Sequence, residues 1–247
     1  MVNIETLVEY LFRKNVKIKD EYFKSEKYID NNRISNQINL IKDLDEILTG
    51  YSKIGYTRIN STIGKRVEGY KVELRRLKVD LEYRCNKVDL NEIDNFLIAN
   101  GEEIINQGYR ALKKLNNINF IEIIKRSMNR GEICLGRTDE GNLRKSSSIE
   151  IGKIKNISYN LIEEDAYNYL KKIKRKDKTI DVKNYIDEFV SINKLDKNSY
   201  EYINILLNIP SDTMKQWIRY KEGRKKYTLD EQLKILLKTL EYEKINL

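Results

Sequence analysis

Histidine does not occur in this chain of 247 residues, proline and tryptophan occur once each, and cysteine occurs twice. The missing imidazole excludes Ser-His-Asp and Cys-His nucleophiles, histidine proton shuttles and the HExxH zinc helix. Cys85 and Cys134 are too few for a structural zinc site or a disulfide framework. They read as two small buried hydrophobes in a reducing compartment. Neither a resident metal nor a cofactor is expected. Long apolar runs are missing too: the longest uninterrupted ones are three or four residues, against the roughly 20 that a membrane-spanning helix needs. Met1 to Arg13 carries Glu5 and Glu9 among its apolar residues and has no small-residue cleavage site, so a secretory leader is not expected and a cytoplasmic location is.

What is present is charge. Lysine and arginine number 47 and aspartate and glutamate 38, a formal excess of +9, and 40% of residues are apolar. That balance fits a globular protein rather than a disordered one. A chain of this length buries roughly 70% of its unfolded surface, enough for a core without disulfide staples. The 34 Ile and 26 Asn against 3 Ala are what an AT-rich genome produces, and they say little about function.

Hydrophobic spacing is mostly helical. Stripes run through Leu7, Val8, Leu11 and Phe12; through Ile38, Ile41, Leu44, Ile47 and Leu48; and through Val72, Leu74, Leu77 and Leu81. Asp89 to Glu92 reads as a capping box opening a helix that Gly101 and Gly108 would bend or break. The period changes between Gly131 and Ser158, where 132–135 and the alternation from Ile149 predict a small β-hairpin around a glycine-containing loop. Helices follow to the end, with Thr228 and Glu231 capping the last. Glu163-Glu164-Asp165 reads as first-turn surface charge. The fold class is mainly α with a small β-hairpin or sheet.

The loop reads Leu135-Gly136-Arg137-Thr138-Asp139-Glu140-Gly141-Asn142. Strand, loop of this spacing, strand and then helices resembles the catalytic lobe of aminoglycoside-phosphotransferase and choline-kinase-like enzymes, and most of all the CotS-type spore-coat kinase-like proteins. In those families the loop reads about His-Gly-Asp-Leu-x-x-x-Asn, and Gly136 and Asn142 fall on its Gly and Asn. Downstream, Ile157 to Asp165, Asn193 to Asp196, Pro210, Trp217 and Tyr220 follow the same pattern loosely, so the resemblance spans about residues 38–245. It implies a kinase-like (aminoglycoside-phosphotransferase-like) C-terminal lobe over 38–247. Residues 1–37 are then a helical stub replacing a truncated N-lobe.

The departures from the pattern bear on activity. Phosphoryl transfer of this kind needs a base carboxylate, and carboxylate and amide oxygens to hold Mg²⁺. By the resemblance, the base position is Arg137 and the histidine position is Leu135. The metal-binding aspartate of the following strand falls at Lys153, with Lys155 two residues on. Cations repel a dication, and Asn142 alone cannot hold one. Gly64-Lys65-Arg66 mimics the end of a P-loop without its upstream glycine or its hydroxyl residue, and reads as a turn.

The resemblance therefore implies a pseudoenzyme with no catalytic residue, and a structural or protein-binding role among coat or scaffold proteins of sporulation. Such a protein would sit in the mother-cell cytoplasm and then the spore coat. Two alternatives stand beside it. One is a basic nucleic-acid-binding helical protein, to which the run Lys171, Lys172, Lys174, Arg175 and Lys176 would offer an anion-facing patch. The other is residual small-molecule phosphotransferase activity, for which Asp139 would have to replace the missing base.

Overall fold

The computed structural model describes residues 6–24, 30–53, 59–224 and 226–243. In chain order the elements are α1 (Leu7–Arg13), β1 (Val16–Ile18), α2 (Asn31–Thr49), a 3-10 turn (Gly50–Lys53), α3 (Lys65–Cys85), α4 (Glu92–Asn116) and α5 (Phe120–Arg130). Four short strands follow: β2 (Ile133–Cys134), β3 (Leu143–Lys145), β4 (Ile149–Ile151) and β5 (Ser158–Tyr159). The chain closes with α6 (Glu163–Lys176), α7 (Val182–Ile192), α8 (Lys197–Asn208), α9 (Ser211–Lys221) and α10 (Leu229–Glu243). It divides into two compact units, 1–63 with 118–204 and 64–117 with 205–247, and the division falls within α8.

In the first unit α2 is the central rod. Asp30 caps it by accepting a hydrogen bond from the Arg33 N–H at 2.8 Å. Ile34, Ile38, Ile41, Leu44 and Leu48 then recur at three- and four-residue intervals and are fully buried, the pattern that lets a helix bury one stripe. The helix packs against α6, α7, β2 and β3. The segment ahead of it holds one helix and one strand, and the position 37/38 lies inside α2. Residues 1–5 and 25–29 of the expected stub lie outside the described residues.

The strands do not pair as the sequence suggests. β4 lies between β1, which runs parallel to it with Val16 opposite Ile149, and β3, which runs antiparallel. β2 instead pairs antiparallel with β5. The reason is loop length: the Ser146–Ser148 turn, closed by a Ser146 N–H to Ser148 carbonyl hydrogen bond of 3.0 Å, gives β4 a partner three residues away, and short closures cost the least chain entropy. β1 is missed by a helical reading of the N-terminus, although Val16-Lys17-Ile18 alternates.

The second unit packs α3 on α4 and α9 on α10. α4 runs unbroken for 25 residues. Gly108 does not bend it; a Cβ there would lie 2.5 Å from a Leu74 methyl, so its absence brings the two helices together. The cap is Asn91 with Asp94, two residues beyond the expected box, while Thr228 and Glu231 bond reciprocally as expected. Cys134 is buried, but Cys85 is exposed at the end of α3, because the buried stripe of Leu74, Leu77 and Asp80 leaves that face outside.

One core residue breaks the pattern. Asp45 of α2 is 2% exposed, and neither of its carboxylate oxygens has a hydrogen-bond partner among the described residues. Burial, reinforced by repulsion from Asp165, Glu132 and Glu163, raises its pKa well above the usual carboxylate range. A buried acid that prefers its neutral form loses folding stability as pH rises from the unfolded value of about 3.9 towards the raised one. Asp45→Asn should therefore stabilise the protein by about 1–3 kcal/mol at pH 8, and by less at pH 5. Urea melts of both proteins at the two pH values measure this; a destabilised variant at pH 8 would contradict it.

Candidate functional site

Leu135 to Asn142 leaves β2 as a loop held from two sides. On one side Asp165, fully buried in the first turn of α6, accepts the Leu135 N–H at 2.7 Å and the Gly136 N–H at 2.8 Å. The Thr138 hydroxyl donates to the Asp165 carbonyl at 2.9 Å. On the other side the Gln37 amide of α2 donates to the Thr138 and Leu143 carbonyls at 2.7 and 2.9 Å. Gly136 has a φ of +79°, and a Cβ there would lie 3.0 Å from the Asn156 backbone oxygen, so no other residue fits that turn without strain.

The acidic triplet of α6 is interior, not surface. Glu163 is 0% exposed and takes two 2.8 Å hydrogen bonds from Arg126. The Tyr202 hydroxyl donates to Glu164 at 2.7 Å. Arg126 also donates to Glu132 at 3.1 Å, whose carboxyl burial pushes up and Arg126 pulls back only in part. Sequence spacing could not show this, since adjacent helix residues point in different directions and each acid meets a different partner.

Within the loop, the charged and amide side chains are committed. The Asn142 amide nitrogen donates to the Arg137 and Lys153 carbonyls at 2.9 and 3.1 Å, and its oxygen accepts the Lys153 N–H at 2.7 Å. Asn142 and Lys153 are thus brought together, as a brace between the loop and the end of β4. Asp139 accepts from Arg137 at 3.0 Å, from the Gly141 N–H at 2.9 Å and from Lys172. Burial would raise its carboxyl, but the hydrogen bonds and charges of Lys172 and Arg137 outweigh that and hold it below the usual carboxylate range. An acid so held is a weak base at neutral pH.

The loop is covered. After β1 the chain turns at Asp20, with φ of 58°, and lies along it: the Phe23 N–H donates to the Gly141 carbonyl at 2.9 Å. The Glu21 carbonyl approaches Gly152 so closely that a Cβ would sit 2.5 Å from it. The Arg144 guanidinium lies 3.9 Å from the Phe23 ring centroid, and that of Arg137 lies 4.0 Å from the Tyr22 centroid, with the Lys153 and Lys155 ammonium groups at 5.5 and 5.7 Å. Tyr22, Asp165 and Gln37 are the residues that sequence reasoning missed. For Tyr22 the signal was the β alternation of 16–18 that aims the following segment.

The run on α6 does not form one exposed patch. Lys171 is buried against the Tyr167 ring and Lys172 is bonded to Asp139, whereas Arg175 and Lys176 are exposed. Among the described residues no group of three or more His, Cys, Asp or Glu could hold a metal ion, and no helix is long and apolar enough to cross a membrane.

The buried α6 acid ties down a glycine turn beside a mainly helical core and a small sheet. The chain superposes on the crystal structure of an aminoglycoside phosphotransferase from Alicyclobacillus acidocaldarius subsp. acidocaldarius DSM 446 with a TM-score of 0.69, over 90% of its own length and 66% of that protein's. The chain thus spans just under two thirds of this neighbour. Sequence identity is 11%, so the likeness is one of fold. No known family pattern matches the sequence, and no curated protein matches it.

The Asp165 clamp should be costly to remove. Asp165→Ala leaves two buried N–H groups without acceptors and should lower stability by about 2–4 kcal/mol, read from the urea midpoint. A loss below 1 kcal/mol would show that the loop does not depend on it.

Proposed function

We propose that this protein is a catalytically inactive kinase-like protein, a degenerate relative of the CotS-type spore-coat proteins it resembles, with a structural or protein-binding role. Residues 1–37 serve as a reduced N-terminal lobe and 38–247 as the C-lobe. Its partners are other proteins, coat or scaffold components, met in the mother-cell cytoplasm and then in the coat.

The observation that carries the reading is the commitment of Asn142 and Asp139. The amide oxygen that would ligate a metal accepts the Lys153 main chain instead. The Asp139 carboxylate, two residues past the base position, is bonded by Arg137 and Lys172. Arg137 itself cannot take a proton at any working pH. The segment over the loop, with Glu21 against Gly152, adds a steric reason. A nucleic-acid role draws less support, since Lys171 and Lys172 are turned to internal partners.

A thermal-shift titration tests this. ATP with Mg²⁺ should stabilise the protein no more than ATP in EDTA, and no phosphoryl transfer to an aminoglycoside or choline should exceed background. Stabilisation that requires Mg²⁺ would contradict the proposal.

A further inference from the structure

The cations that remove a metal site leave something in its place. Arg137, Lys153 and Lys155 converge within 6 Å of the centroid of one ring, Tyr22. Lys153 and Lys155 have no carboxylate partner among the described residues. Arg137 has one, Asp139, which it shares with Lys172. The positive charge is therefore only partly compensated by the described residues. The Tyr22 side chain, 36% exposed, supplies an electron-rich ring that lies against all three cations. Desolvation pushes its phenol up, yet the nearby Lys155 and Arg137 together bring it below the usual tyrosine range. The cations are acting on the nearest oxygen as they would on an anion.

A metal-dependent phosphate site works through carboxylates that hold a dication, which then holds the phosphate. Ammonium and guanidinium groups repel the dication, but they are themselves phosphate ligands, the guanidinium as a planar fork and the ammonium as a point charge. The same inversion that excludes Mg²⁺ favours the oxyanion. The brace from the Lys153 N–H to Asn142 fixes the backbone from which the Lys153 side chain projects, so the cations are presented by ordered chain rather than by a free loop.

We propose that Arg137, Lys153 and Lys155 form a metal-independent site for a phosphoryl-type oxyanion, a phosphate ester or polyphosphate, gated by the Tyr22 side chain. It rests on the reading of the loop as inactive only in requiring no metal. The ligand displaces the Tyr22 ring from the three cations.

The test is calorimetric titration of tripolyphosphate into the full chain in EDTA. Saturable one-site binding is expected, weakening as salt rises. Lys153→Gln with Lys155→Gln should weaken it at least tenfold, whereas Lys113→Gln with Lys114→Gln, both exposed on α4, should leave it within twofold. If the first pair does not fold, Lys155→Gln alone, at an exposed side chain, should still weaken binding about threefold. Tyr22→Ala removes the covering ring, so it should bind two- to fivefold tighter; weaker binding would overturn the gating role. No binding in EDTA, or equal loss in the α4 variant, would overturn the site and leave the inactive reading standing. Binding that appears only with Mg²⁺ would overturn both.

Discussion

The first unit depends on one carboxylate. Asp165 accepts the N–H groups of Leu135 and Gly136 at 2.7 and 2.8 Å, and a buried acceptor of that kind is stable only while both donors stay in place. Fixing those amides sets the left-handed turn at Gly136, which aims the rest of the loop. Gln37 holds the far end, and Asn142 ties it to β4. The frame is backbone bonded to side chain, so it is indifferent to which groups the loop carries outward. That is why a loop can keep its shape with Arg137 and Lys153 where the resemblance places acids.

What the loop presents is set by electrostatics. Three of the acids near it are ion-paired: Asp139 with Arg137 and Lys172, Glu163 with Arg126, and Glu150 with Arg144 and Lys19. Among the described residues, Lys153 and Lys155 beside it have no carboxylate partner. The aromatic segment of Tyr22 and Phe23 lies against it by stacking on guanidinium groups, an attraction of about 0.5–2 kcal/mol each.

Much of the fold was legible. The helix stripes of α2 and the α10 cap follow from apolar spacing and from Thr228 with Glu231, because both are local. The change of period at Gly131 located the sheet and the glycine spacing located the loop. The pairing of β2 with β5, and of β1 with β4, was not legible, since partner choice between strands of two or three residues is decided by chain closure and not by composition. The burial of Glu163, Glu164 and Asp165 was hidden for a related reason. A run of acids reads as surface until Arg126, Tyr202 and the 135–136 backbone, each distant in sequence, are brought to it. Of the site, the family resemblance set Asn142 and Lys153 in one motif, while Tyr22 was not found, because the alternation of 16–18 marks a strand but nothing local ties residue 22 to residue 137.

The central claim is that this loop keeps the kinase-like frame without the means to hold a metal–nucleotide complex. Electron paramagnetic resonance of Mn²⁺ with ATP tests it directly, because the metal's signal reports what surrounds it. Adding the protein should leave the spectrum that of Mn·ATP in solution. A broadened, protein-bound signal that saturates at one metal per chain would contradict the account.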